Sequence, residues 1–422
     1  MLLNRNKKTA LLLKAALPCV FLVVLTMTCR KDKSFTEEIA RRTEKVESGL
    51  VQMDLASMNY AHPEKRLTLS ERMAHYKVPG VSIAVIENNK IEWAKAYGVL
   101  NVESGAPVTI GSLFEAASTT KLLTAAIVLH FAERGQLDLD EDVNSYLKSW
   151  KIPESEFALK QRVTLRRLLT HQAGINRPDG GFSEAEGSSP TLHQILKGEP
   201  PALNAPARVE FVPGSKWQYS NMGYLVIQQV VEDVLGKPFA EVAWESIFEP
   251  LGMTSSTLVY PLNAEDQKRE AVPHDAEGKA RKPGMSPAAV AHGGLMTTPS
   301  DLALLTIELM RAYQGHSARI ISQAMARLMF HRELEVNIMG FSVGEGVGVI
   351  LHGEGKNFSF LHPGGNDPGA CCWLEGVPES GRGVIIMSNG AMGDVLSFEI
   401  LFPVIEEYRW PTGQWLPLSE KK

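Results

Sequence analysis

Residues Ser118–Glu133 read STTKLLTAAIVLHFAE. Leu122, Leu123, Ala125, Ala126, Ile127, Val128, Leu129 and Phe131 leave no polar stripe, no Pro or Gly interrupts the run, and Gly135 stands just past its end. A helix apolar nearly all round is a buried one. Ser118 and Lys121 are three apart, so on a helix they share a face with Cβ atoms roughly 5–6 Å apart. At the first turn, free N–H groups and the positive dipole end would stabilise an oxyanion and favour an uncharged lysine. S-x-x-K alone is common, and a Ser near an N-cap followed by a solvated Lys is its plain alternative. Placement weighs against that, because Lys121 lies among Leu122, Leu123 and Ala125 and needs a partner.

Outward from this helix the pattern changes period. Val78-Pro79-Gly80 is a turn signal before Val81–Ile86 and Ile91–Tyr97, two β-rich runs split by Glu87-Asn88-Asn89-Lys90, which predicts an antiparallel hairpin. From about 136 to 310 the patterning is mostly helical, broken by Gly/Pro/Ser-rich loops such as Arg177 to Pro190, which reads as a functional rim or as disorder. After about 335 the β signal returns at Val347–Leu351, Phe358–His362, Ala370–Leu374 and Gly383–Ser388, and a helix from Asp394 to Tyr408 closes the chain. The fold class is α+β. Its antiparallel sheet is built from N- and C-terminal segments (about 78–116 and 335–410), is flanked by helices, and carries an inserted mainly helical region (about 117–334).

Two further motifs matter. Tyr219-Ser220-Asn221 follows Pro213-Gly214 and precedes an apolar run, so Tyr219 and Asn221 can both face one cleft as base and amide. Read alone, Y-x-N carries little, and a packed Tyr with a capping Asn is the better reading. His362-Pro363-Gly364-Gly365 stands at the end of the strand Phe358–Leu361, where glycines would admit a substrate and the Gly365 N–H would donate to an oxyanion. Its plain reading is a glycine turn after a strand, with His362 exposed.

The order S-x-x-K, Y-x-N, H-x-G resembles the serine β-lactamase and penicillin-binding-protein superfamily, above all its class C β-lactamase, D-alanyl-D-alanine carboxypeptidase and esterase branches. Leu168-Leu169-Thr170-His171-Gln172-Ala173-Gly174, Pro250-Leu251-Gly252-Met253, Gly293-Gly294-Leu295 and Ser300-Asp301-Leu302 resemble it too, so the likeness runs from about Val78 to Tyr408. It implies a β-lactamase/transpeptidase-like fold and acyl transfer through Ser118, with no metal or cofactor. Lys121 and Tyr219 would share acid and base work, Asn221 would hold Lys121 and the substrate, and the Ser118 and Gly365 N–H groups would form the oxyanion hole beside Gly364. His171 is expected to be a support. His362 departs from the Lys that β-lactamases carry there; with a reference pKa near 6.5 it is mostly neutral, which weakens carboxylate recognition. The function expected is an exported serine hydrolase, esterase-like on small esters or amides. D-aminoacyl peptidase, weak β-lactamase and a non-catalytic envelope binding module are the alternatives.

Composition sets the outer bounds. The chain has 422 residues, 44% hydrophobic and 22% charged, with net charge −5, which fits a globular enzyme and gives no basic excess for nucleic acid. Four cysteines are too few for a disulfide scaffold. Arg5, Lys7 and Lys8 precede the uncharged apolar run Ala15–Thr28, short for a membrane span of roughly 20 residues but suited to an export signal. Cys29 follows directly and suits a lipoprotein cysteine, although Thr26 stands where Leu is usual; an uncleaved anchor is the second reading. The chain thus divides into a signal at 1–28, a charged helical stalk at 29–70, a hydrolase domain at 71–417 and a tail at 418–422. Gly340-Phe341-Ser342-Val343-Gly344 matches the nucleophile-elbow pattern, but a strand rather than a helix is expected after it, so Ser342 reads as loop punctuation. The histidines form no zinc pattern, and Cys371-Cys372 read as packed thiols.

Overall fold

The computed structural model describes residues 36–54, 59–177, 189–282, 286–338 and 341–411. The leader, Cys29, most of the loop after Arg177 and the tail lie outside them. Eight strands form one antiparallel sheet: β1 (Gly80–Glu87), β2 (Lys90–Gly98), β3 (Leu334–Ile338), β4 (Phe341–Glu345), β5 (Ile350–His352), β6 (Ser359–Asn366), β7 (Ala370–Val377) and β8 (Arg382–Ser388). Their order is β2-β1-β8-β7-β6-β5-β4-β3, so the sheet is closed by pairing β8 from the end of the chain against β1 from near its start. The β1–β2 hairpin turns on Asn88 and Asn89 at φ 54° and 56°, the positive values that a two-residue turn needs to match strand twist.

Alternation along each strand feeds two cores. Val81, Ile83, Val85, Val384 and Ile386 face one of them, while Ala84, Ile86, Ile385 and Met387 face the other. The helices that matter are α1 (36–48), α2 (Leu69–Tyr76), α3 (Thr120–Glu133), α4 (Asn221–Leu235), α5 (Pro299–Tyr313) and α6 (Gly393–Glu407). Helices α1, α2 and α6 cover the first face; α3, α4 and α5 belong to the second core. As its composition requires, α3 is buried from Thr120 through Leu129. Among the described residues no helix is long and apolar enough to cross a membrane.

Three expectations need correction. The charged segment read as a stalk packs onto the domain: Val46, Leu50 and Val51 are buried, and Arg41 and Lys45 pair with Glu407 of α6 at 2.8 and 2.9 Å. Its apolar residues are few, but they recur on one face. The single strand expected at Val347–Leu351 is instead a hairpin, β3–β4, followed by the short β5. Gly348 at φ 73° turns the chain between β4 and β5, and a Cβ there would lie 2.4 Å from the Ala125 Cβ. The alternation Leu334-Glu335-Val336-Asn337-Ile338 was the signal for β3. Finally, His362-Pro363-Gly364-Gly365 is not a turn. Strand β6 runs through it, pairing Gly364 with Cys372 and Gly365 with Cys371. Strand β5 pairs only Ser359 to Leu361, so Pro363 stands where β6 has one unpartnered edge, which is where a sheet tolerates proline.

A buried ion pair ties the two ends of the chain together. Arg72 of α2 donates to both carboxylate oxygens of Glu399 in α6 at 2.7 and 3.0 Å, and the Tyr76 hydroxyl and the Met53 N–H also donate to Glu399. Removing one partner strands the other charge in the core. Glu399→Ala should therefore lower unfolding free energy by about 3–5 kcal/mol in urea titrations; a loss below about 1 kcal/mol, the range of surface pairs, would contradict this reading.

Candidate active site

The helix start is built around a strained residue. Ala117 has φ 47°, a left-handed value costly for a residue with a Cβ, and it opens the 3₁₀ turn Ala117–Thr119 that carries Ser118 into α3. Neighbouring bonds hold this turn in place. The Thr120 hydroxyl donates to the Ala117 carbonyl at 2.7 Å, the Ala116 N–H to the Leu295 carbonyl at 2.8 Å, and the Thr119 hydroxyl to the His362 carbonyl of β6 at 2.9 Å. Gly364 makes that last approach feasible, since a Cβ on it would lie 2.2 Å from the Ala116 carbonyl oxygen. The neighbouring Gly365 faces open space.

Three functional groups converge on the turn. Lys121 Nζ lies 3.3 Å from Ser118 Oγ and donates to the His292 carbonyl at 2.7 Å. The Tyr219 hydroxyl donates to Ser118 Oγ at 2.9 Å. Lys121 is fully buried, with its amine 4.9 and 5.3 Å from the ring centres of Tyr219 and Tyr224. Tyr219 is set by the residue after it: the Ser220 N–H donates to His171 Nδ1 at 3.1 Å, and the Ser220 hydroxyl donates to the Asn176 carbonyl while capping α4 by accepting from the Gly223 N–H. The His171 ring lies 4.3 Å from that of Tyr219. His171 is thus a support that reaches Ser118 only through Tyr219.

Burial governs the charges. It pushes the Lys121 amine well below its ordinary range, with a lesser push from Arg177, and it raises the Tyr219 phenol, an effect that the Ser118 bond only partly offsets. His362 and His292 are each lowered to about 3, by burial first and by Lys121 second. His362 Nδ1 lies 2.8 Å from the Pro363 carbonyl; a carbonyl only accepts, so Nδ1 carries the proton and the neutral ring leaves Nε2 as an acceptor. The cleft over these groups has a volume of about 420 Å³ and walls that include Trp217, Phe341, Val343, Ile350 and Leu361. Arg177 at its rim, 5.8 Å from the Tyr219 ring centre, brings a permanent positive charge. An uncharged amine beside a serine hydroxyl can accept its proton, and a strand with an unpartnered edge can seat an acyl group.

The structure brings Ser118, Lys121, Tyr219, His362, Gly364 and Gly365 together, but it does not couple Asn221 to Lys121. Asn221 opens α4 with its amide oxygen buried and unpartnered among the described residues, while the His292 carbonyl takes the lysine proton expected of it. An amine buried this deeply needs an acceptor, and the chain before Gly293-Gly294 supplies a closer one. Ser342 lies exposed within β4, in a hairpin and not on a strand-to-helix turn. Cys371 and Cys372 are free, buried and on opposite faces of β7, with thiols pushed up to about 12 by burial. No group of three or more metal-ligating side chains occurs among the described residues. Sequence reasoning missed Trp217 and Glu345 as cleft residues and the His292 carbonyl as the Lys121 partner, at which only the Gly293-Gly294 pair hinted, whereas Arg177 opens the loop read as a rim.

Comparison with known proteins agrees with this geometry. Esterase EstB of Burkholderia gladioli is 27% identical over 329 residues, 70% of this chain and 77% of the relative. Protein flp of Staphylococcus aureus is 24% identical over 228 residues, 53% of this chain, and the match spans only 44% of that relative's length. The octameric penicillin-binding protein homologue from Pyrococcus abyssi superposes with a TM-score of 0.68 at 26% identity, over 83% of this chain and 78% of its own. Residues 66–397 match the family model described as Beta-lactamase. The chain belongs to the β-lactamase family and is one of its serine hydrolases.

Proposed function

We propose that Ser118 is acylated by small esters or amides, with esters preferred. The observation that carries this is the Ser118 hydroxyl held within reach of both the Lys121 amine and the Tyr219 phenol, with the amine buried and its pKa lowered well below the ordinary lysine range. Lys121 takes the Ser118 proton as Oγ attacks the acyl carbon. The N–H groups of Ser118 and Gly365 receive the oxyanion. As the intermediate collapses, Tyr219 gives its proton to the departing oxygen and regains one from Lys121. Water then repeats the sequence to release the acid.

Only the free amine accepts a proton. Turnover should therefore fall as pH drops through the lowered pKa of Lys121 in a pH–rate profile, and His362→Gln should leave the position of that limb unchanged, because His362 is lowered to about 3.

The neutral His362 and the apolar walls support an ester preference, as does the resemblance to a relative named an esterase. A carboxylate-bearing substrate would forgo a charge-assisted bond at His362, worth about 1.5–3 kcal/mol or roughly ten- to a hundred-fold. Arg177 favours a second reading, D-aminoacyl peptide cleavage, in which its guanidinium takes the terminal carboxylate.

p-Nitrophenyl esters, a chromogenic cephalosporin and D-Ala-D-Ala peptides should be assayed with wild type, Ser118→Ala, His362→Lys and Arg177→Ala. Wild type should favour a short ester, and an activated ester should leave its acyl mass on Ser118. Ser118→Ala should lose at least about 10³-fold. A cephalosporin turned over faster than every ester, with no gain in His362→Lys, contradicts the ester preference. Peptide cleavage lost selectively in Arg177→Ala establishes the second reading.

The basic start and the Ala15–Thr28 run support export, with attachment to the membrane through Cys29 as its lipidated form. Labelled palmitate incorporated by the wild type and lost in Cys29→Ala is the expected result. A full-length protein confined to the cytoplasm would refute export.

A further inference from the structure

The Ser118 chemistry leaves one ionisable group of the cleft unused. Glu345, the last residue of β4, is only 3% exposed yet lines the same cleft as Ser118 and Tyr219. Its negative charge would be felt by both Tyr219 and Tyr224, which places it beside the serine's hydrogen-bond partner. Among the described residues no Lys, Arg or His forms a salt bridge with it. The Trp217 side chain donates toward the Glu345 carboxyl and favours its charged form, an effect that burial outweighs. The adjoining walls at Val343 and Ile350 are apolar.

A carboxyl in such a place is costly to keep, and Gln or Leu would be easier to bury. Burial raises its pKa well above the ordinary carboxylate range. A ligand that brings its own positive charge and N–H donors changes that balance, because it supplies both the countercharge and the hydrogen bonds.

We propose that Glu345 recognises a primary ammonium group on the acyl side of the substrate, so that the preferred acyl donors are aminoacyl esters or amides. This rests on the reading of Ser118 as the acylated residue and narrows the substrate class of that site. The ammonium docks against the Glu345 carboxylate under the Trp217 edge, with the acyl carbon at Ser118. Glu345 touches the substrate but moves no proton in the acyl transfer.

The benzyl esters of alanine, both enantiomers, and of propionate differ by that one amine. Wild type should hydrolyse one alanine ester roughly ten- to a hundred-fold faster in kcat/KM than the propionate ester, the worth of one charge-assisted bond. In Glu345→Gln, which is nearly isosteric, this ratio should fall by roughly the same ten- to a hundred-fold. A wild-type ratio near one, or a ratio unchanged in Glu345→Gln, overturns the proposal. Calorimetry on Ser118→Ala with alaninamide and propionamide gives a second readout that needs no turnover. Tighter binding of alaninamide, lost when Glu345→Gln is added, supports the ammonium site even if neither ester is cleaved, in which case the Ser118 reading fails alone. Equal binding of the two amides refutes it.

Discussion

A lysine amine removed from water with no carboxylate to pair with is the constraint on which the rest depends. Lys121 is completely buried, and its neighbours offer one carbonyl, one hydroxyl and two aromatic faces but no countercharge among the described residues. An isolated ammonium there is costly, so burial drives the pKa of the amine well below the ordinary lysine range. The same desolvation keeps Tyr219 protonated and the histidines around it neutral. Burial thus disfavours the charged form of every titratable group arranged around one serine hydroxyl.

The fold exists in large part to keep that amine dry. Helix α3 is apolar on every side because the sheet, α4 and α5 share its core. Strand β6 closes over its first turn, and Gly364 sets how near the backbone comes. On the other face, α1, α2 and α6 back the sheet, and the Arg72–Glu399 pair fixes α2 against α6. A strained Ala117 at the point where Ser118 emerges is consistent with a site over-determined by its surroundings.

Much of this was readable from the residues. Helix α3, the β1–β2 hairpin and strands β6, β7 and β8 followed from periodicity, and the S-x-x-K spacing placed serine and lysine on one face. What failed did so for identifiable reasons. Glycines and a proline at 362–365 signal a turn locally, but pairing with β7 overrides that preference. The few apolar residues of α1 and the turn after it were outnumbered by charges, although Val46, Leu50 and Val51 are buried against the domain. Asn221 was assigned to Lys121 by motif, whereas a backbone carbonyl, which no side-chain pattern encodes, holds the amine. Glu345 and Trp217 carry no motif; β4 brings the first to the cleft and the segment leading into α4 brings the second.

The central claim concerns a single proton, and it can be measured directly. Lysine amines labelled with ¹⁵N can be followed by NMR through a pH titration, with Lys121 assigned from Lys121→Arg. The resonance of Lys121 should titrate well below those of the other lysines, and the pH at which it does so should coincide with the acid limb of acylation. A Lys121 amine that remains protonated up to the ordinary lysine value of 10.5, in an enzyme fully active at neutral pH, would contradict the account.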